Sequence, residues 1–264
     1  MHFFVNHSTQ TISPGITPKN IVSLVPSLTE LLSYLGLEDE VKGITKFCIY
    51  PPEWLLTKKI IGGTKNIHLE KIKQLSPNLI IANKEENVFS QIEDASYIAP
   101  VWVTDINNLQ DAYSMILELG TYCNVLQKAR QLVQEIQLQF TALQPINPSL
   151  KVAYFIWNKP FMVAASNTFI HEIMQLCGFK NAFENLNRYP EISAAQIITA
   201  NPQLILLSSE PYPFKEKHVE IFQKLIPTAE IKLVNGEMFS WYGSYLLKTA
   251  QYLKLLLEQL KKNR

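Results

Sequence analysis

"LEKIKQLSPNLIIANKEEN", Leu69 to Asn87, decides the fold, because the chain writes it twice. "AAQIITANPQLILLSSEPY", Ala194 to Tyr212, aligns with it without a gap at an offset of 125 residues. Ile72 falls on Ile197, Pro77 on Pro202, Leu79–Ile81 on Leu204–Leu206 and Glu85 on Glu210. In each copy a short helix stops ahead of a proline, whose ring disfavours helix in the residue before it. A strand follows without alternation of apolar and polar residues, the pattern of burial on both faces. A glutamate then sits just past the strand's carboxyl end.

Other pieces fit the same duplication. "NIVSLVPS" (Asn20–Ser27) and "KVAYFIWN" (Lys151–Asn158) each read as the first strand of a lobe. Each leads to a helix, "TELLSYLGL" and "HEIMQLCGF", with Gly36 and Gly178 placed as C-caps. "PVWVTD" and "EIKLVNG" supply a later strand to each lobe. Strands alternating with helices predict an α/β class with parallel sheets. The expected lobes are residues 1–122 and 146–264. Between them "CNVLQKARQLVQEIQLQFTALQ" carries Val125, Leu126, Ala129, Leu132, Val133, Ile136, Phe140 and Leu143 at helical spacing. It predicts one stiff connecting helix at 123–145, roughly 33 Å over its 22-residue core. Ligands of open parallel sheets lie beyond the carboxyl ends of the strands. Two such lobes predict a ligand cleft between them, with Glu85 and Glu210 as opposite walls.

The totals exclude several classes. There are 24 basic and 23 acidic side chains, so no basic excess favours nucleic acid as a partner. No apolar run reaches the roughly 18 residues of a membrane span. "MHFFVNHSTQ" lacks the basic start and long apolar stretch of a signal peptide, so the sequence as written reads as cytoplasmic, and as periplasmic if a leader has been removed. Cys48, Cys123 and Cys177 are far apart, no CxxC occurs, and the five histidines form no HxxxH pair. A structural zinc or disulfide framework is not expected. The expected form is a monomer with no intrinsic cofactor.

The loops expected at strand ends are "TKFCIYPPEW", "NKEEN", "IWNKPF", "SSEPYPF" and "GEMFSWYGS". Their aromatics, beside a few charges, suit a large ligand with a planar ring and a polar fringe. The candidate ligand-binding residues are Phe47, Cys48, Tyr50, Lys84, Glu85, Trp157, Glu210, Tyr212, Phe214, Glu237, Trp241 and Tyr242. Each aromatic among them has a competing reading as packing, and for Trp102, inside "VWVT", packing is the better one. Cys48 is the candidate for direct contact with a metal in the ligand. Glu85 with Glu86, or Glu210 with Glu237, supply paired carboxylates, but nothing fixes their separation, and no nucleophile elbow or phosphate-cradling loop occurs. No catalytic residue is assigned, and the chain is read as a binding protein, not an enzyme.

"IVSLVPSLTELLSYLGL", "GITKFCIYPPE", "IGGTKN", "LEKIKQLSPNLIIANKEEN" and "NPQLILLSSEPYPFKEKH" together resemble the substrate-binding proteins of bacterial ABC importers for cobalamin, haem and ferric siderophores. The resemblance runs from about Asn20 to Leu260, and "PSLTELL" and the YPP turn direct it to the cobalamin binders. It implies two Rossmann-like lobes joined by one long backbone helix, non-catalytic binding of a corrinoid or other metal chelate, and an ABC permease as partner. It also implies aromatic stacking on the ligand. Here Phe47 holds one such place and Thr64 another. It further implies docking through one glutamate per lobe. The first matches Glu70; the second position is Ala195, with Glu191 four residues earlier. Two other readings stay open at this point: an intracellular binder or sensor of such a chelate, and an enzyme acting on a tetrapyrrole or metal complex.

Overall fold

The computed structural model describes residues 2–5, 7–8 and 17–262. Of the N-terminal stretch, residues 1, 6, 9 and 10 lie outside the described residues, as do 263 and 264 at the far boundary of the second expected lobe. The chain divides into two compact units. Lobe 1 comprises the residues up to Ile106, Gln110–Gln137 and Tyr242–Tyr245; lobe 2 comprises Asn107–Leu109, Leu138–Trp241 and the residues from Leu246 on.

Lobe 1 is built on strands β1 (Phe3–Val5), β2 (Ile21–Ser23), β3 (Val41–Ile44), β4 (Lys59–Ile60), β5 (Leu79–Asn83) and β6 (Val101–Thr104). Helices α1 (Pro26–Tyr34), α2 (Trp54–Thr57), α3 (Leu69–Gln74) and α4 (Phe89–Ser96) lie between them, and α5 (Leu109–Tyr122) and α6 (Leu126–Thr141) follow. The six strands form one sheet in the order β1-β6-β5-β2-β3-β4. The pairs from β2 to β6 are parallel, as the sequence predicts. The edge strand β1 is not predicted. It runs antiparallel to β6, with Phe3 opposite Val103 and Val5 opposite Val101. Two phenylalanines in a row, each more than a third exposed, are a pattern that carries no period-2 signal.

Lobe 2 contains β7 (Leu150–Trp157), β8 (Phe161–Val163), β9 (Phe179–Asn181), β10 (Glu191–Ile192), β11 (Leu204–Ser208) and β12 (Glu230–Val234). Its helices are α7 (Phe169–Leu176), α8 (Ala194–Ala200), α9 (Glu216–Leu225), the one-turn α10 (Glu237–Ser240) and α11 (Leu246–Lys262). A second, separate sheet has the order β10-β8-β7-β11-β12, with β9 also on β7. β11 is parallel to both β7 and β12, whereas β8 is antiparallel to β7 and β10. Each lobe therefore has its own sheet, and each is mixed at one side where a purely parallel sheet is expected. The hairpin-like return at β7–β8 needs only the short "NKP" connection, which a parallel crossover cannot use.

The repeated element folds alike in both lobes. β5 and β11 are buried at every residue. Each Leu or Ile so removed from water contributes up to about 1.5–3 kcal/mol. α3 and α8 precede them, and the residues before the two prolines, Ser76 and Asn201, adopt left-handed φ of 45° and 43°. α8 is also held by a capping box between Ser193 and Gln196. Gly36 and Gly178 end α1 and α7 with φ of 79° and 77°, the left-handed cap that glycine takes without strain.

The connecting helix is shorter than expected. α6 spans 16 residues, about 24 Å, because Asn124 turns left-handed at φ 58° and separates it from α5. Its apolar stripe is buried as the spacing predicts, at Ala129, Leu132, Val133, Ile136 and Phe140.

One short piece of the C-terminal half folds into lobe 1. Tyr242 is buried there, with its hydroxyl bonded to Ser27 and Thr104, and burial pushes its phenol above the usual range. Gly243 adopts φ 93°, and a Cβ added to it would stand 3.2 Å from Leu31 Cβ. Ser244 Oγ donates to the Glu30 carboxylate, and the Tyr245 ring lies 6.2 Å from that of Tyr50.

Candidate functional site

In lobe 1 the candidate side chains stand beyond the carboxyl ends of β3 and β5. The β5 end is a built turn. Asn83 Oδ1 accepts from the Glu85 and Glu86 main-chain N–H groups at 2.9 and 3.2 Å, and Asn83 Nδ2 donates to Thr104. Asn87 Oδ1 in turn accepts from Asn83 N–H at 2.8 Å, and Asn87 Nδ2 donates to the Thr64 carbonyl at 3.0 Å. Glu85 is thus presented by a fixed backbone. Lys84 pairs with Asp105 at 2.7 Å, so its ammonium already has a partner.

Beyond β3, Phe47 is 50% exposed, a large aromatic face turned to solvent. Cys48, the next residue, is fully buried. Thr29 Oγ1 donates to its sulfur at 3.1 Å, and Thr45 Oγ1 lies at 3.2 Å. Burial outweighs these contacts and pushes the thiol up, so the neutral form persists. Among the described residues no group of three or more His, Cys, Asp or Glu side chains is placed to hold a metal ion. Tyr50 is half-buried beside Tyr245.

Lobe 2 repeats the turn with other chemistry. Ser208, which stands at the position of Asn83 in the repeat, accepts from Glu210 N–H at 3.3 Å and from Tyr154 Oη at 3.1 Å. Ser240 Oγ donates to the Glu210 carboxylate at 2.9 Å. Gly236 makes this possible: a Cβ there would stand 2.4 Å from Ser208 Oγ and 2.5 Å from Glu210 Cγ. Glu237, at the start of α10, has its N–H on Asn235 Oδ1 at 3.0 Å. The segment read as an open loop at "GEMFSWYGS" is therefore partly helical.

The aromatics of lobe 2 form a connected set. Trp157, 38% exposed, meets Tyr212 edge-on at 5.5 Å between ring centroids. Tyr212 meets Phe214 at 4.8 Å, and Phe214 belongs to the buried core. The Lys215 N–H donates to His218 Nδ1 at 2.8 Å, which leaves Nε2 as the N–H facing Tyr212 Oη at 3.1 Å. Burial and the nearby Lys217 charge hold His218 below its ordinary pKa. Trp241 is 8% exposed.

The predicted residues thus sort by lobe. Phe47, Cys48, Tyr50, Lys84, Glu85 and Tyr242 fall in lobe 1, and Trp157, Glu210, Tyr212, Phe214, Glu237 and Trp241 in lobe 2. The sequence reading missed Asn83, Asn87, Ser208, Ser240 and His218, which shape the turns. Asn83 and Ser208 were legible in the repeat itself, as small polar residues at equivalent strand ends.

A sequence model of the family described as periplasmic binding protein matches residues 21–232. The chain belongs to the periplasmic binding protein family. Within this family it is 28% identical over 256 residues to the vitamin B12-binding protein of Pectobacterium atrosepticum, covering 92% of this chain and 90% of that one. It is also 28% identical over 211 residues to the uncharacterized ABC transporter substrate-binding lipoprotein YvrC of Bacillus subtilis, covering 75% of this chain and 66% of that one. The periplasmic heme-binding protein RhuT of Roseiflexus sp. RS-1 shares the fold with a TM-score of 0.76 at 20% identity, over 92% of this chain and 98% of that one. Two α/β lobes are thus the architecture of this periplasmic binding protein, and its named relatives are binding proteins. No helix of the described residues is long and apolar enough to cross a membrane.

Proposed function

We propose that this protein is the substrate-binding component of an ABC importer and binds, without catalysis, a cobalamin-like corrinoid or related metal chelate. The observation that carries the reading is the repeated strand-end turn, with Asn83 and Ser208 presenting Glu85 and Glu210 in the two lobes. Exposed aromatic faces stand near each turn, Phe47 in lobe 1 and Trp157 in lobe 2. The similarity to a vitamin B12-binding protein over most of both chains supports the same reading. Within it, Phe47, Glu85, Trp157, Glu210 and Tyr212 meet the ligand, while Cys48, Phe214 and Tyr242 serve the interior of their lobes. Visible absorption titrations with cyanocobalamin, haemin and a ferric siderophore test it. Saturable band shifts at micromolar or lower concentration, roughly 8 kcal/mol of binding, are expected. No shift with any of the three overturns it.

Docking on a permease belongs to the same reading. Glu70 is exposed in the first turn of α3, while Ala195 holds the equivalent position on α8 and Glu191 lies outside that helix in β10. A charge pair at an interface contributes several kcal/mol when desolvated and little at a wet rim. With one of two such contacts missing, this protein holds a cobalamin permease weakly. Ala195→Glu strengthens binding in a pull-down at low salt; tight binding by the parent, unchanged in the variant, overturns the docking proposal alone.

A further inference from the structure

A cavity of about 530 Å³ opens on lobe 1 beyond β3 and β4. Its charged lining is Lys46, Lys65 and Lys71, joined by His68, and none of its lining residues is acidic. Among the described residues, none of the three lysines has a carboxylate within ion-pair distance. Their ammonium groups turn to weaker partners. Lys65 Nζ donates to the Glu85 carbonyl at 2.5 Å and Lys71 Nζ to the Ile60 carbonyl at 3.5 Å. Lys46 Nζ stands 5.1 Å from the centre of the Phe47 ring. Glu86 interacts electrostatically with Lys65 but does not line the cavity.

The backbone adds donors. The turn that bridges Gly62 to Ile67 contains Thr64, Lys65 and Asn66, whose main-chain N–H groups meet no acceptor among the described residues. Successive main-chain N–H groups in a turn make an anion-binding concavity. Gly63 keeps the floor low: a Cβ there would stand 3.1 Å from Phe47 Cε2, so the ring lies directly against this turn. A half-exposed aromatic ring, three lysines and a turn with unbonded N–H groups therefore line one cavity that no carboxylate lines, Glu86 standing outside it beside Lys65.

We infer that this cavity is an oxyanion subsite, which holds carboxylate or phosphate groups at the edge of the ligand whose planar body covers Phe47. The inference rests on the chelate-binding reading and narrows it to ligands with an anionic fringe. Lysine is a mobile point charge without the fixed fork of arginine, so it suits several separate oxyanions.

The test is calorimetric titration of the full chain, at low salt, against three corrinoids and one simple anion. Dicyanocobyrinic acid carries peripheral carboxylates, cyanocobalamin carries amides and one phosphodiester, and dicyanocobinamide carries amides and a hydroxyl but no oxyanion at its periphery. Citrate probes the cavity without any chelate. The parent is expected to bind at least one oxyanionic corrinoid tenfold or more tighter than cobinamide, and which of the two gains distinguishes carboxylate from phosphate. The triple variant K46Q/K65Q/K71Q loses that advantage and saturable citrate binding, while cobinamide affinity stays; Lys65→Gln alone, at an exposed site, loses part of both. Citrate bound in a lysine-dependent way, with no corrinoid bound, sustains the subsite and counts against the corrinoid reading. Equal affinity for the three corrinoids, or no lysine-dependent binding of any probe, overturns the subsite.

Discussion

Cys48 is buried beside Thr29 and Thr45, and Cys123 and Cys177 are equally buried. Burial pushes the latter two thiols up to about 12. A disulfide reagent applied at about pH 8 should therefore leave the native protein almost unlabelled, since only the thiolate reacts. All three thiols should react on unfolding in denaturant. Fast labelling of one native thiol would show that its enclosure opens. Neighbouring side chains separate binding from packing in the same way. Phe47→Ala should weaken the chelate by about 1–3 kcal/mol. It should leave stability nearly unchanged, because half of the ring is already exposed. Trp241→Ala, at a buried ring, should instead cost about 3–5 kcal/mol of stability. Denaturant midpoints and ligand titrations on both variants check this pair. Gly236→Ala should destabilise by about 1–3 kcal/mol, since its new methyl would strike Ser208 and Glu210.

At the scale of elements, the helix–proline–strand unit was readable because two independent copies agreed on it. Its pattern of a left-handed residue, a proline and an unbroken apolar strand is local, and local physics decides it. The strand-end turns were half-legible: glutamates stood out by charge and Asn83 and Ser208 by their equivalent places in the repeat, whereas the bonds that tie these two to Thr104 and Tyr154 join residues distant in sequence. Lys46, Lys65 and Lys71 carry no signal in the sequence for a related reason. Scattered lysines read as solvated surface, and only the folded turn at Gly62–Ile67 gathers them. The start of α9 offers a pH test. His218 accepts from the Lys215 N–H, and protonation would fill that lone pair. Its folded-state pKa lies below that of the unfolded chain. Its contribution is thus complete above the unfolded value of about 6.5 and is lost as pH falls below it towards the folded value. Denaturant midpoints should fall between about pH 7 and pH 5. His218→Gln should flatten that part of the profile; an unchanged profile would remove His218 from the cause.

At the scale of the molecule, two sheets with central parallel strands followed from the order of elements alone, and the antiparallel edges did not. β1, β8 and β10 are two or three residues long, too short to carry a period. The place of the segment Tyr242–Tyr245 was not legible for a different reason: Tyr242 reads from sequence as a ligand contact in the second lobe, whereas its hydroxyl bonds and Gly243 seat the segment in lobe 1. Gly243→Ala should cost about 1–3 kcal/mol, through a left-handed φ and the Leu31 contact, measured as a shift in the unfolding midpoint. The duplication visible in the sequence is therefore not a set of interchangeable cassettes. A chimera that takes lobe 1 from a relative and leaves residues 242–245 behind inherits a tyrosine hydroxyl, a glycine contact and a serine–glutamate bond matched to the wrong parent. The boundary for such an exchange is a discontinuous one, and the four residues travel with the lobe they fill.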